Sequence, residues 1–170
     1  MTDAGDERHD AQLTGVLEGR EAWRLAVHAL MARAADAGAR RLVMLDQDFS
    51  DWPLGEARFV DQLTRWVASH RELVLIAADF TDLGRRHPRW VTWRRNWGHA
   101  VQCLSLHEDD RADVPGLFMV EGIAVAQWVD RRHARGSVRD DPGAMAQARE
   151  RLDHLQQRGS PDFPVTVLGL

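Results

Sequence analysis

Two carboxylates separated by one residue follow the apolar run Arg41-Leu42-Val43-Met44-Leu45, in the order Asp46-Gln47-Asp48-Phe49-Ser50. Acids at the end of a buried strand can do phosphoryl chemistry. One carboxylate attacks while a divalent cation held nearby neutralises the oxyanions. A plainer use competes with it, because short acids ahead of Trp52-Pro53 also make turns and cap helices. Asp46 and Asp48 are therefore weak metal candidates, and no cofactor is expected.

A second constellation is denser. Arg85-Arg86-His87-Pro88-Arg89-Trp90-Val91-Thr92-Trp93-Arg94-Arg95-Asn96-Trp97 packs five arginines and three tryptophans together, with no acid from Leu83 to His107. On a helix, Trp90, Trp93 and Trp97 share one face. Guanidiniums on phosphates and indoles under bases would make an anion or single-strand platform. The ligand-binding candidates are Arg85, Arg86, Arg89, Arg94, Arg95 and Trp93. The competing reading is an amphipathic helix with core tryptophans and solvated or ion-paired arginines. A third makes the same residues a dimer hot spot.

Other chemistries are closed. All 22 basic side chains are arginine, so no Schiff base, phosphate-loop lysine or lysine base exists. Cys103 is the single cysteine, lies in an apolar run and reads as an inert buried thiol. The eight histidines are scattered, and His87, His99 and His107 have no metal-site spacing. A net charge of −4 does not suggest a protein that coats nucleic acid, although a local patch remains open. The acidic start is unlike a signal peptide, and no apolar run spans a bilayer, so a cytoplasmic location is expected.

The elements that would position these residues alternate between helix and strand. Residues 1–12 read as a flexible tail and 13–170 as one domain. Arg20 to Ala37 is a strong helix stopped by Gly38. Arg41–Leu45 is a buried strand, Glu56–Ser69 a helix and Glu72–Ala77 a second buried strand. Pro88 opens a helix to Asn96 or Trp97, followed by a strand from Ala100 to Leu106. Leu117–Val120 and Ile123–Val129 form a hairpin about Glu121-Gly122. Asp141-Pro142 begins a helix to about Gln157, capped by Asp140 or Asp141. Phe163–Leu168 reads as a short last strand. The pattern predicts an α/β sandwich, a mixed sheet flanked by helices.

This order resembles one half of the phospholipase D superfamily fold. The stretch Gly116-Leu117-Phe118-Met119-Val120-Glu121-Gly122-Ile123-Ala124-Val125 resembles the hairpin that carries the family's H-x-K-x4-D motif. The helix from Asp141 resembles the one that follows it. The chain is similar to a bacterial group of such half-domains, of unassigned function, that lack the motif. In active members the histidine attacks phosphorus and the lysine holds the phosphate charge. With Glu121 at the aspartate position, Val114 stands for the histidine and Gly116 for the lysine. Neither can supply the chemistry. The resemblance also implies a homodimer or partner chain, since half-folds normally pair.

The expected function is thus a non-catalytic binding or assembly domain, with an anionic ligand at the arginine-rich helix. One alternative is a residual metal-dependent phosphohydrolase using Asp46 and Asp48. Its loop superficially matches the D-x-D-x-T loop of haloacid-dehalogenase phosphatases, with Asp109-Asp110 mimicking their terminal acid pair. Another is a structural protein-interaction module.

Overall fold

Two six-residue apolar strands, β2 (Arg41–Asp46) and β3 (Glu72–Ala77), run parallel in register at the middle of the sheet, Leu42 beside Leu73 through Asp46 beside Ala77. Strands buried on both faces read as continuous hydrophobic runs, which is why this pair is so plain in the sequence. The computed structural model describes residues 13–68 and 70–164. Around the pair lie β1 (Gly15–Glu18), β4 (Val101–Ser105), β5 (Leu117–Val120), β6 (Ala124–Asp130), β7 (Arg135–Arg139) and β8 (Ser160–Pro161). The order is β1-β7-β6-β5-β2-β3-β4-β8. β2, β3 and β4 are mutually parallel, and the remaining pairings are antiparallel.

The pleat divides the core in two. On the first face Leu42, Met44, Leu73, Leu75, Phe118 and Ala126 meet helices α1 (Arg20–Ala37), α2 (Ala57–Trp66) and α4 (Pro88–Asn96). Helix α3 (Leu83–Arg86) is a single turn leading into α4. On the second face Val43, Leu45, Val74, Ile76, Leu117 and Met119 meet one helix, α5 (Pro142–Arg158), through Met145, Ala148, Leu152 and Leu155. Three helices on one side and one on the other leave part of the second face open to solvent.

Local signals set the boundaries. Gly38 ends α1 in the left-handed region at φ 65°, and a Cβ there would approach the Arg71 guanidinium at 3.1 Å. Asp141 caps α5 by accepting from the Ala144 N–H at 3.0 Å, which decides between the two candidate caps.

Several boundaries need correction. β1, just before α1, and β7, in the charged stretch before Asp141, are strands to which the sequence pattern assigns no element. β1 is a four-residue edge strand, and in β7 only Gly136 and Val138 are buried, so neither shows an apolar run. The β5–β6 connection has three residues, Glu121 to Ile123, with Gly122 at φ 79°. Helix α2 ends at Trp66, and Ser69 lies outside the described residues. Phe163 and Pro164 are not strand, while the rest of that expected element and the 1–12 tail lie outside the described residues.

Candidate functional site

Strand β2 delivers Asp46 to its C-terminal end, but the carboxylate is 1% exposed. One oxygen accepts from the Phe49 N–H at 2.8 Å and the Asp48 N–H at 3.3 Å. The other accepts from Arg131, which closes an ion pair. Burial pushes the Asp46 carboxyl above its ordinary range, while Arg131 and the two N–H groups pull it back. Asp48 is turned elsewhere. It accepts from Ser50 N–H at 3.0 Å and pairs with Arg86 at 3.2 Å. Its carboxyl lies below the ordinary range: partial burial opposes the shift, and the Ser50 and Arg86 hydrogen bonds outweigh it.

The segment after Asp46 is core rather than a solvent loop. Phe49 and Trp52 are essentially fully buried. Trp52 meets the rings of Phe49 at 5.1 Å, Trp23 at 5.3 Å and Phe118 at 5.9 Å, and Trp23 stacks on Trp128 at 4.8 Å. His87 ties this segment down. Its Nδ1 accepts from the Gly55 N–H at 3.1 Å, so its Nε2–H donates to the Phe49 carbonyl at 2.9 Å. That tautomer is neutral, and burial depresses the His87 pKa.

Gly116 stands beside this plug. A Cβ built on it would lie 2.4 Å from Trp128 Cδ1, 2.9 Å from Asp46 Oδ1 and 3.0 Å from an Arg131 terminal nitrogen. Gly116, the residue expected at the lysine position of the resembled motif, cannot take a Cβ unless these side chains shift. Val114 is half-buried against the second core face, and Glu121 lies in the β5–β6 turn, 3.7 Å from Arg149.

The arginine set divides sharply. Arg94 is 4% exposed. Its guanidinium donates to the Phe163 carbonyl and lies 5.8 Å from the Trp90 ring centre and 5.2 Å from that of Phe163. Trp90 and Trp93 are core. Arg94 and Trp93 therefore present nothing to a ligand, because the face they share packs inward. Arg85 pairs with Asp82 at 2.7 Å, Arg86 with Asp48, and Arg89 donates to the Gly55 carbonyl at 3.0 Å. Arg95 is exposed and makes no ion pair among the described residues.

The remaining candidates resolve simply. Asp109 and Asp110 both pair with Arg158 at 3.2 Å and neither pairs with Asp46's partner Arg131. Cys103 is buried, with its thiol pushed up to about 12 by desolvation. Among the described residues no three metal-ligating side chains converge. No described helix is long and apolar enough to cross a membrane.

Two residues that define this region are absent from the sequence reading, Trp128 and Arg131. Arg131 lies 85 residues from Asp46 in the chain, so no local spacing announces the pair. The available signal was weak: an arginine just past the apolar end of β6, one of 22 in the chain.

No protein-family model and no curated protein sequence matches the chain. Solved structures do match. The archaeal chromatin protein TrmBL2, described as showing a novel mode of DNA binding, superposes with a TM-score of 0.64 at 11% identity over 89% of this chain. This chain spans 55% of TrmBL2. Nuc from Salmonella typhimurium, a phospholipase D family member, gives a TM-score of 0.56 at 13% identity, over 89% of this chain and 98% of Nuc. At such identities the likeness establishes architecture alone: the chain has a phospholipase D-like α/β fold.

Proposed function

We propose that this protein is a non-catalytic phospholipase D-like binding or assembly domain that works as a homodimer or against a partner chain. The observation that supports it best is the space at Gly116. A phosphate-holding lysine has no room there, and Asp46 and Arg131 neutralise each other on that spot. Val114 in place of the histidine leaves no nucleophile, since an isopropyl group has no lone pair to offer phosphorus. The metal-dependent alternative loses its first ligand, because a cation at buried Asp46 must displace the Arg131 guanidinium paired with it.

For anion binding at α3 and α4, the surface members Arg85, Arg86, Arg89 and Arg95 remain, with Arg95 the least committed. A DNA-binding structural neighbour is compatible with a nucleic-acid ligand, although this chain covers about half of that neighbour. Two experiments test the reading. Sedimentation equilibrium of the purified chain gives a dimer mass, or a monomer that requires a partner. Binding of a single-stranded oligonucleotide, measured across salt concentration, weakens on Arg95→Ala if the helix carries the contact. Turnover of a phosphodiester by the purified chain contradicts the non-catalytic core of the proposal.

A further inference from the structure

The side of β5 opposite Gly116 carries a small open cavity of about 150 Å³ between the sheet and the N-terminal half of α5. The pairing register explains its floor. Leu117, Gln127 and Ser137 form one row across β5, β6 and β7, and Val125 sits opposite Arg139 two residues away. Helix α5 forms the other wall with Ala144, Gln147, Ala148 and Arg151, spaced i, i+3, i+4 and i+7, which is one helix face. The hollow exists because the two alanines and Ser137 are short where bulkier side chains would close the gap.

The lining chemistry has one sign. Five polar side chains reach the cavity, Gln127, Ser137, Arg139, Gln147 and Arg151, and no acid does. Arg139 donates its Nε to Asp141 at 2.9 Å, which leaves its terminal nitrogens for another acceptor. The side chains of Gln127, Ser137, Gln147 and Arg151 have no hydrogen-bond or ion-pair partner among the described residues. Gln127 and Ser137 are moreover half-buried. Several other arginines of the chain pair with acids or carbonyls, as Arg86, Arg94, Arg131 and Arg158 show. Donors converging on Leu117 and Val125 suit an oxyanion attached to a compact apolar body. The volume matches a single small ring.

We propose that this cavity is a binding site for a small organic oxyanion, a phosphate monoester or carboxylate with a ring-sized apolar group. The site deepens the non-catalytic binding reading and rests on it. It places the ligand across the sheet from the filled motif position and away from the α4 arginines.

The test is titration of the full chain with phenyl phosphate, followed by amide chemical shifts. Saturable shifts confined to β5–β7 around Gln127 and Ser137, and to α5 around Gln147 and Arg151, are expected. Arg151→Ala, at an exposed position, should weaken binding about tenfold through the loss of a charge-assisted contact. Ser137→Leu should abolish binding by filling the cavity, and Arg65→Ala, on α2 away from the cavity, should leave it unchanged. Should Ser137→Leu fail to fold, Arg151→Ala decides alone. Absence of saturation, shifts centred on α3 and α4, or unchanged affinity in Arg151→Ala each overturns the proposal. Hydrolysis of the probe would instead sink the non-catalytic reading, so the two failures are distinguishable.

Discussion

Gly116 and Leu117 are consecutive residues, yet they face regions of opposite design. Gly116 looks onto the first face, where Trp128, Asp46 and Arg131 leave no room for a Cβ. Leu117 looks onto the second face, beneath a hollow rimmed by amides, a hydroxyl and guanidiniums. One side satisfies its charges internally, and the other leaves donors directed outward. The contrast shows that two consecutive residues, alternating across the sheet, can serve a closed face and an open one.

The sharpest way to break this contrast is to remove Arg131. Asp46 would then be a buried carboxylate without its counter-charge, and Arg131→Ala should cost about 3 kcal/mol in denaturant unfolding. The sign with pH follows from burial. Asp46 already titrates above its ordinary range, and losing Arg131 raises it further. The variant's deficit should therefore shrink as pH falls through that raised value and the carboxyl takes a proton. A deficit independent of pH would contradict the ion-pair account.

Gly116→Ala tests the filled face sterically. Its new methyl meets the indole of Trp128, and overpacking of this kind should cost about 2 kcal/mol. A neutral Gly116→Ala would show that the position has room after all. Within the arginine helix, adjacent residues should behave oppositely. Arg94→Ala loses its carbonyl contact and its ring contacts, at about 1.5 kcal/mol. Arg95→Ala should stay within about 0.5 kcal/mol. Equal effects at the two positions would erase the division between core and surface.

The smallest effect concerns acid. His87 and His28 are both buried with depressed pKa values, His87 through desolvation and His28 through desolvation aided by Arg58 and Arg24. Their unfolded forms take up protons first, so stability should decline as pH drops below about 6.5. His87→Gln should flatten that decline in thermal melts between neutral and mildly acidic pH. An unaltered slope would remove His87 from the tie between Phe49 and Gly55.

These expectations also show what was legible from residues alone. β2, β3 and β5, the spacing of α1 and the stop at Gly38 stand in the sequence, because burial on two faces or along one stripe writes a local period. β1 and β7 do not, since a strand at the sheet margin with one wet face has no such run. Regular tryptophan spacing correctly marked a packed face on α4. It also carried Arg94 inward, against the expectation that every arginine there serves a ligand. Asp46 was legible as a position worth examining. Its neutralisation by Arg131 was not, because that contact arises from the pairing of β5 with β2 and β6, not from neighbours in the chain. The cavity under α5 was equally hidden, being assembled from three strands and a helix.

Whether the chain is catalytically silent is decided by turnover of bis(p-nitrophenyl) phosphate by the purified protein, with and without Mg2+. A non-catalytic chain releases p-nitrophenol at the buffer rate in both conditions, and Asp46→Asn leaves that rate unchanged. Saturable release that needs Mg2+, or that disappears in Asp46→Asn, would contradict the non-catalytic reading and show a working phosphohydrolase.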